Sequence, residues 1–203
     1  MNAAPDPAAA TPPTPVPVWN IANILTMSRL VVVPLFVVFM FLEHPAWRFA
    51  AFAVFVLAAI TDRIDGELAR RRNLVTDFGK VADPIADKAL TGAALVALSV
   101  LGELWWWVTI VILVREWGIT LLRLAVIRYG VIPASRGGKL KTVLQIVAIS
   151  VYLFPLPDVL LIVAHVVMAA ALLVTVWTGA DYVLQAMRMR RAAIAAGAGD
   201  PRA

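Results

Sequence analysis

The sequence predicts an all-α integral membrane protein: six transmembrane helices preceded by a short interfacial helix, with both termini cytoplasmic. Three observations predict it. Of 203 residues, 62% are hydrophobic and 15% are charged, against about 45–50% and about 25% in soluble domains. A soluble fold of this size could not hide that much apolar surface. The apolar residues also fall into long runs, and roughly 20 such residues cross a bilayer as a helix. Finally, the basic residues gather on one set of alternate connections, as cytoplasmic loops do. The formal net charge of +5 therefore reports membrane topology, and no nucleic-acid partner is expected. There is no cysteine, which removes disulfides and thiolate metal sites from consideration.

Residues 1–18 are rich in Ala, Pro and Thr and contain no Lys or Arg. They lack the basic start and apolar core of a secretory signal and read as a disordered tail. A membrane domain over residues 19–191 follows, and residues 192–203 read as a second tail. Residues 19–28 place Ile21, Ile24, Leu25 and Ser28 at helical spacing and predict a helix at the interface. The first span covers residues 28–42, with Arg29 at its start and a tolerable Pro34. The second begins near Ala46, is apolar to Ile60, and continues its helical pattern to Arg72. Residues 73–78 form a connection. A third helix starts near Gly79 or Lys80 and is apolar over residues 89–101.

Gly102 and Glu103 make a tight turn, and Trp105, Trp106 and Trp107 suit a membrane-interface belt. The fourth span, residues 104–127, carries Arg115, Glu116 and Arg123. A basic loop over residues 128–141 leads to a fifth span, 142–154, a turn at 155–158 and a sixth span, 159–178. A polar helical extension then carries Arg188, Arg190 and Arg191. His165, alone in the sixth span, reads as a hydrogen-bonded packing residue. The connections near 43–48, 102–104 and 155–158 hold one basic residue, Arg48. The opposite side holds Arg70, Arg71, Arg72, Lys80, Arg128, Arg136, Lys139, Lys141 and the terminal arginines. Residues 62–87 are thereby placed on the cytoplasmic side of a multi-pass protein of the cell membrane.

That stretch carries the chemistry. Asp62 and Asp65 are three residues apart, and Asp83 and Asp87 are four apart, so each pair shares a helix face. The short connection makes the two helices neighbours and lets the faces converge. Four carboxylates in a partly desolvated site repel one another and call for cations. Oxygen-only ligands suit Mg²⁺ or Mn²⁺ and disfavour zinc, and two divalent ions are a natural occupancy for phosphoryl transfer. Gly66 lies one turn from Asp62, and Ala69 lies one turn from Asp65. Small side chains there leave room for a flat group such as a nucleobase and ribose, and Arg70 can reach a phosphate. Ordinary ion pairs with Arg63, Arg70, Arg71, Arg72, Lys80 and Lys88 would explain one or two acids. They would not explain both helical pairs together with the small residues.

These residues resemble a known family. Asp62-x2-Asp65-Gly66-x2-Ala69-Arg70-x8-Gly79-x3-Asp83-x3-Asp87 matches every fixed position of the CDP-alcohol phosphotransferase signature, and the span pattern extends the resemblance over residues 19–190. The resemblance implies displacement of CMP from a CDP-linked lipid by an alcohol. It implies metal binding by Asp62, Asp65, Asp83 and Asp87, and nucleotide contacts from Asp65, Gly66, Ala69 and Arg70. It further implies that Asp87 is the general base, and that the protein is a homodimer.

The acceptor must be read from the second half. Arg115-Glu116-Trp117-Gly118-Ile119-Thr120, Arg123, and Gly138-Lys139-Leu140-Lys141-Thr142 with Gln145 look like the branch of phosphatidylglycerophosphate synthases. That likeness implies CDP-diacylglycerol and sn-glycerol 3-phosphate as substrates within a membrane-lipid environment. A phosphorylated acceptor needs cations. Arg115 and Arg123 sit on helix faces about 80° apart and could line one cavity, with Lys139 and Lys141 at its mouth. Lys139 and Lys141 could equally mark the interface, and Arg115 could pair with an intramembrane acid. A sister enzyme using inositol phosphate or phosphatidylglycerol is the nearest alternative. A cation channel or transporter is the alternative from another class, and it would place its carboxylates near mid-membrane.

Overall fold

A computed structural model of the chain describes residues 21–71, 77–126, 136–155 and 157–195. Six helices make up its regular structure among the described residues: α1 Ile21–Phe41, α2 Pro45–Arg71, α3 Asp77–Val100, α4 Trp106–Val126, α5 Arg136–Leu153 and α6 Asp158–Ala195. The expected connection at 73–78 falls mostly outside the described residues, as do the first tail and part of the basic loop.

Local chemistry explains the helix ends. Pro45 opens α2, where its missing N–H costs nothing, and the ring of His44 accepts a hydrogen bond from the Ala46 amide at 3.2 Å. Gly102 follows α3 with φ of 75°, a conformation that only glycine adopts without strain. The amide of Glu103 reaches back to the Leu98 carbonyl at 3.0 Å, and that of Gly102 to Ser99 at 3.1 Å. This closes the helix in the manner of a Schellman turn.

Two boundaries differ from the sequence reading. The expected interfacial helix is not a separate element among the described residues: α1 runs unbroken from Ile21. Neither proline nor glycine interrupts residues 21–33, so the amphipathic start and the apolar run propagate as one helix. The loop expected up to Lys141 is also shorter. α5 already begins at Arg136, and the Thr142 hydroxyl donates to the Gly138 carbonyl at 3.1 Å within it. As expected, α6 carries its helix past the arginines, over 38 residues.

Among the described residues, three helices are long and apolar enough to cross a membrane by length and composition: Ile24–Phe41, Pro45–Arg63 and Leu161–Met189. In α3 and α5 the apolar parts are shorter, Lys88–Val100 and Leu140–Leu153. Arg115, Glu116 and Arg123 interrupt the apolar run of α4. The outward surface is apolar: Val31, Leu57, Val114, Ile162 and Leu173 are all exposed. Such a surface suits lipid and not water.

The core is built from Phe36, Phe55, Leu95, Leu98, Ile112, Ile149 and Leu153, with the Phe36 and Phe55 rings 6.0 Å apart. α1 packs against α2 and α3, α5 against α2, α3 and α6, and α4 against α3 and α6. A buried Thr109 hydroxyl on α4 donates to the Leu95 carbonyl at 3.2 Å and meets the Ser99 hydroxyl at 2.7 Å. This stitches α4 to α3. His165 packs as expected: its Nδ1 lies 2.7 Å from the Leu161 carbonyl, and its ring abuts those of Tyr152 and Trp105.

One end of the bundle is tied by Arg48 at the start of α2. Its guanidinium pairs with Glu103 in the α3–α4 turn and donates to the carbonyls of Tyr152 and Leu153 at the end of α5. The three low-charge connections of the sequence therefore share one end. Replacing Arg48 by Ala removes all of these links. It is expected to lower stability by about 1.5–3 kcal/mol, the range for hydrogen bonds to a charged group. Thermal unfolding in detergent checks this, and an unchanged midpoint would show that the clamp contributes nothing.

Candidate active site

The motif stretch lies at the end of the bundle opposite Arg48. α2 carries Asp62 near the end of its apolar stretch, and Asp65, Gly66, Ala69 and Arg70 follow in its last turns. Asp83 and Asp87 lie in the first half of α3, ahead of its apolar part. For Asp65, Gly66, Ala69, Arg70, Asp83 and Asp87 the structure describes the helices that carry them and not their side chains. The helical backbone does place Asp65 one turn beyond Asp62, and Asp87 one turn beyond Asp83.

Asp62 itself is fully described. Its Oδ1 lies 2.6 Å from Nη1 of Arg29 on α1. Arg29 is 7% exposed and Asp62 36% exposed. An arginine stays charged at any ordinary pH, and burying it without a counter-charge costs several kcal/mol. Asp62 supplies that charge, and in return α1 fixes a carboxylate of α2. The burial of Arg29 and its partner identify it as a support for Asp62.

A second polar cluster joins α4, α5 and α6. Arg115 on α4 donates through Nε to the Thr175 carbonyl at 3.1 Å and through Nη2 to the Thr178 hydroxyl at 2.8 Å. Its Nη1 lies 3.4 Å from Oε1 of Glu116. The same Glu116 oxygen accepts from the ammonium of Lys141 on α5. Lys141 is buried, as is Gln145 one turn further along α5. Arg115 and Lys141 are thus brought together by sharing Glu116. Arg123 and Lys139 lie on α4 and α5, and their side chains fall outside the described set.

The two clusters are linked through the packing. α5 lies against both α2 and α3, so the helix of Lys141 borders the two helices that carry the four aspartates. In addition, the Lys88 ammonium sits 5.5 Å from the centre of the Trp117 ring. Lys88 follows Asp87, and Trp117 follows Glu116, so this contact brings the two clusters to one level of the bundle.

Several contributors went unassigned at the level of sequence. Glu116 has no role in the sequence reading, and Thr175 and Thr178 lie within an apolar span that Gly179 directly follows. The available signal was their spacing: polar or small residues at i, i+3 and i+4 form one helix face, which suits an intramembrane partner. Gly179 is there for space. A Cβ at that position would meet Cγ of Arg115 at 3.1 Å and Nε at 3.2 Å.

A bundle with this motif on α2 and α3 defines a class, and comparison with known proteins establishes it. The CDP-alcohol phosphatidyltransferase family model matches residues 19–177, and the chain belongs to that family. Among its relatives, the "probable phosphatidylglycerophosphate synthase" of Mycobacterium tuberculosis (strain H37Rv) is 58% identical over 172 residues, covering 83% of this chain and 82% of the relative. The "CDP-diacylglycerol--glycerol-3-phosphate 3-phosphatidyltransferase" of Bacillus subtilis (strain 168) is 37% identical over 169 residues, covering 72% and 88%. The protein of that name from Escherichia coli (strain K12) is 35% identical over 171 residues, covering 81% and 93%.

The Gly179 contact yields a test. Arg115 is held from two sides and has little room to yield. Gly179→Ala is therefore expected to lower the unfolding midpoint despite the gain of about 1 kcal/mol in helix propensity. Gly118→Ala on α4, where a Cβ would meet nothing within 4 Å, should leave the midpoint level or raise it. Equal responses at the two sites would sink the steric account.

Proposed function

We propose that this protein transfers the phosphatidyl group of CDP-diacylglycerol to sn-glycerol 3-phosphate, giving phosphatidylglycerol phosphate and CMP. The similarity, over most of the chain, to relatives named for this reaction carries the reading. All six helices cross the membrane, with the polar ends of α2 and α3 and both termini on the cytoplasmic side. The protein acts as a homodimer in the cell membrane.

The donor set fits a divalent cation. It consists of carboxylates alone, one turn apart on each of two helices, with the described member fixed by a buried arginine. Asp62, Asp65, Asp83 and Asp87 would hold two Mg²⁺ ions, and Mn²⁺ would satisfy the same oxygen ligands. When bound, such ions neutralise pyrophosphate charge and make CMP a better leaving group.

Asp65, Gly66, Ala69 and Arg70 seat the CDP group: the small residues admit the nucleoside, and Arg70 meets a phosphate. Asp87 takes the proton of the acceptor hydroxyl. The freed oxygen forms a bond to the phosphatidyl phosphorus as the bond from that phosphorus to the CMP oxygen breaks. Arg115, Arg123, Lys139 and Lys141 supply the positive field that draws in the acceptor phosphate. Of these, Arg115 does so from a fixed position, since its donors are engaged by α6 and Glu116.

The purified protein should release CMP from CDP-diacylglycerol with glycerol 3-phosphate and divalent ions, and chelation should stop it. Release with a different alcohol only would reject this acceptor while leaving the family chemistry intact. Ion flux without CMP release would reject the enzyme reading.

The proposed roles separate in the variants. Asp87→Asn should cut kcat by about 10²–10⁴-fold, the usual contribution of a general base, with much less effect on CDP-lipid affinity. Equal loss of both would argue against a dedicated base. Arg29→Gln should shrink the rise in unfolding midpoint that Mg²⁺ gives the wild type, because Asp62 loses its anchor. A full Mg²⁺ response in that variant would show the pair to be dispensable for metal binding.

A further inference from the structure

We infer that Glu116 is a positioning residue for the phosphate of the acceptor, acting through Lys141. The inference rests on the proposed reaction, and it concerns a side chain to which that reaction assigned no role. A lysine ammonium is a point charge on a flexible four-carbon stem. To recognise a phosphate at one place it has to be held there. Lys141 is held: it is 5% exposed, and its ammonium bonds to Oε1 of Glu116.

Glu116 is fixed in turn. Its carboxylate lies beside Arg115, whose guanidinium is bonded to the Thr175 carbonyl and the Thr178 hydroxyl of α6. Gly179 leaves the space in which that guanidinium lies. A chain of polar contacts therefore runs from α6 through α4 to α5 and includes the Lys141 ammonium. An ammonium has three donors, so it can keep Glu116 while it engages a phosphate oxygen. The Lys88–Trp117 contact places Glu116 at the level of Asp87, where the acceptor hydroxyl must be if Asp87 is its base. A carboxylate so close to the proposed phosphate site would oppose an anion if it acted alone. As the partner of a buried lysine it serves the site by fixing the cation.

The full-length protein in mixed micelles tests this. CMP release is followed while glycerol 3-phosphate is varied at saturating CDP-diacylglycerol, and then the reverse. Glu116→Gln keeps the shape and removes the charge. It should raise the KM for glycerol 3-phosphate about tenfold or more, a factor equivalent to about 1.4 kcal/mol. The KM for CDP-diacylglycerol should stay within about twofold, since uniform damage to the fold would move both. Glu116→Asp, which retains the charge, should recover much of the acceptor KM.

The decisive comparison is on the Lys141→Gln background. If Glu116 acts through Lys141, adding Glu116→Gln there produces no further rise. An acceptor KM that is unchanged or lowered in Glu116→Gln overturns the inference, as does a double variant whose effects multiply. If Glu116→Gln does not fold, Glu116→Asp with and without Lys141→Gln gives the same comparison: a rise that vanishes on that background supports the role, and one that persists overturns it. Failure of the wild type to release CMP with glycerol 3-phosphate rejects the reaction itself, and this role with it. Wild-type turnover with an unaffected variant rejects the role of Glu116 alone.

Discussion

A charge buried in an apolar bundle must find its counter-charge on another helix, and that constraint orders this molecule. Helix backbones satisfy their own donors and acceptors internally, which leaves side chains to make the polar links between helices. Arg48 reaches Glu103 and the end of α5 at one end. Arg29 reaches Asp62 near the other. Glu116 takes both Arg115 and Lys141 between them. At Glu116, where both partners of each pair are mostly buried, removing one typically costs about 3–5 kcal/mol, more than most apolar contacts. These pairs therefore specify which helix meets which, while the apolar side chains fill the space between.

The same constraint gives the bundle its polarity along the axis. At 1.5 Å per residue, Lys88, Glu116 and Lys141 lie about 15–18 Å along their helices from the end clamped by Arg48. Asp62 lies about 25 Å from Pro45 on the same measure. Up to that level the interior is largely hydrocarbon, with Leu95, Leu98, Ile112 and Ile149 fully buried. Near that level Arg29, Lys141 and Gln145 are buried in it, while Val31, Val114 and Leu121 are exposed on the outside. A reaction between a lipid-borne pyrophosphate and a soluble phosphate ester requires such a boundary, where a charged head group meets fixed cations and acids while its acyl chains remain in lipid.

What the sequence disclosed, and what it withheld, follow from the range of the interactions. Asp62, Asp65, Asp83 and Asp87 advertise themselves through spacings of three and four residues, and spacing is local information. The turn at Gly102 and the long helix through Arg188 are local as well. Arg29 was visible as a charge, but its partner lies on the next helix, and no periodicity connects the two. Glu116 and Lys141 belong to the same kind of pair. Thr175, Thr178 and Gly179 looked like ordinary members of an apolar span because their purpose is to receive Arg115 from another helix. The two displaced boundaries have the opposite origin. The sequence reading set an interfacial helix at residues 19–28 and a basic loop at 128–141, whereas α1 runs on from Ile21 and α5 is already helical at Arg136.

α4 shows how paired charges bear on a reading from hydropathy. Its charges exclude it from the set judged apolar enough to cross a membrane. Yet Arg115 and Glu116 are spent on α5 and α6, while Ile110, Val114 and Leu121 are exposed on its outside. The polar face is turned inward and the apolar face outward, the reverse of a soluble amphipathic helix. A residue-by-residue scale counts the charges as though each met lipid alone. Once Glu116 is shared by two cations and Arg115 is bonded to α6, most of that cost is already met inside the bundle. What remains facing outward is largely valine, leucine, isoleucine and tryptophan. The charged interior and the apolar exterior are thus two consequences of one arrangement, and the polar interior lies beside the helices that carry the aspartates.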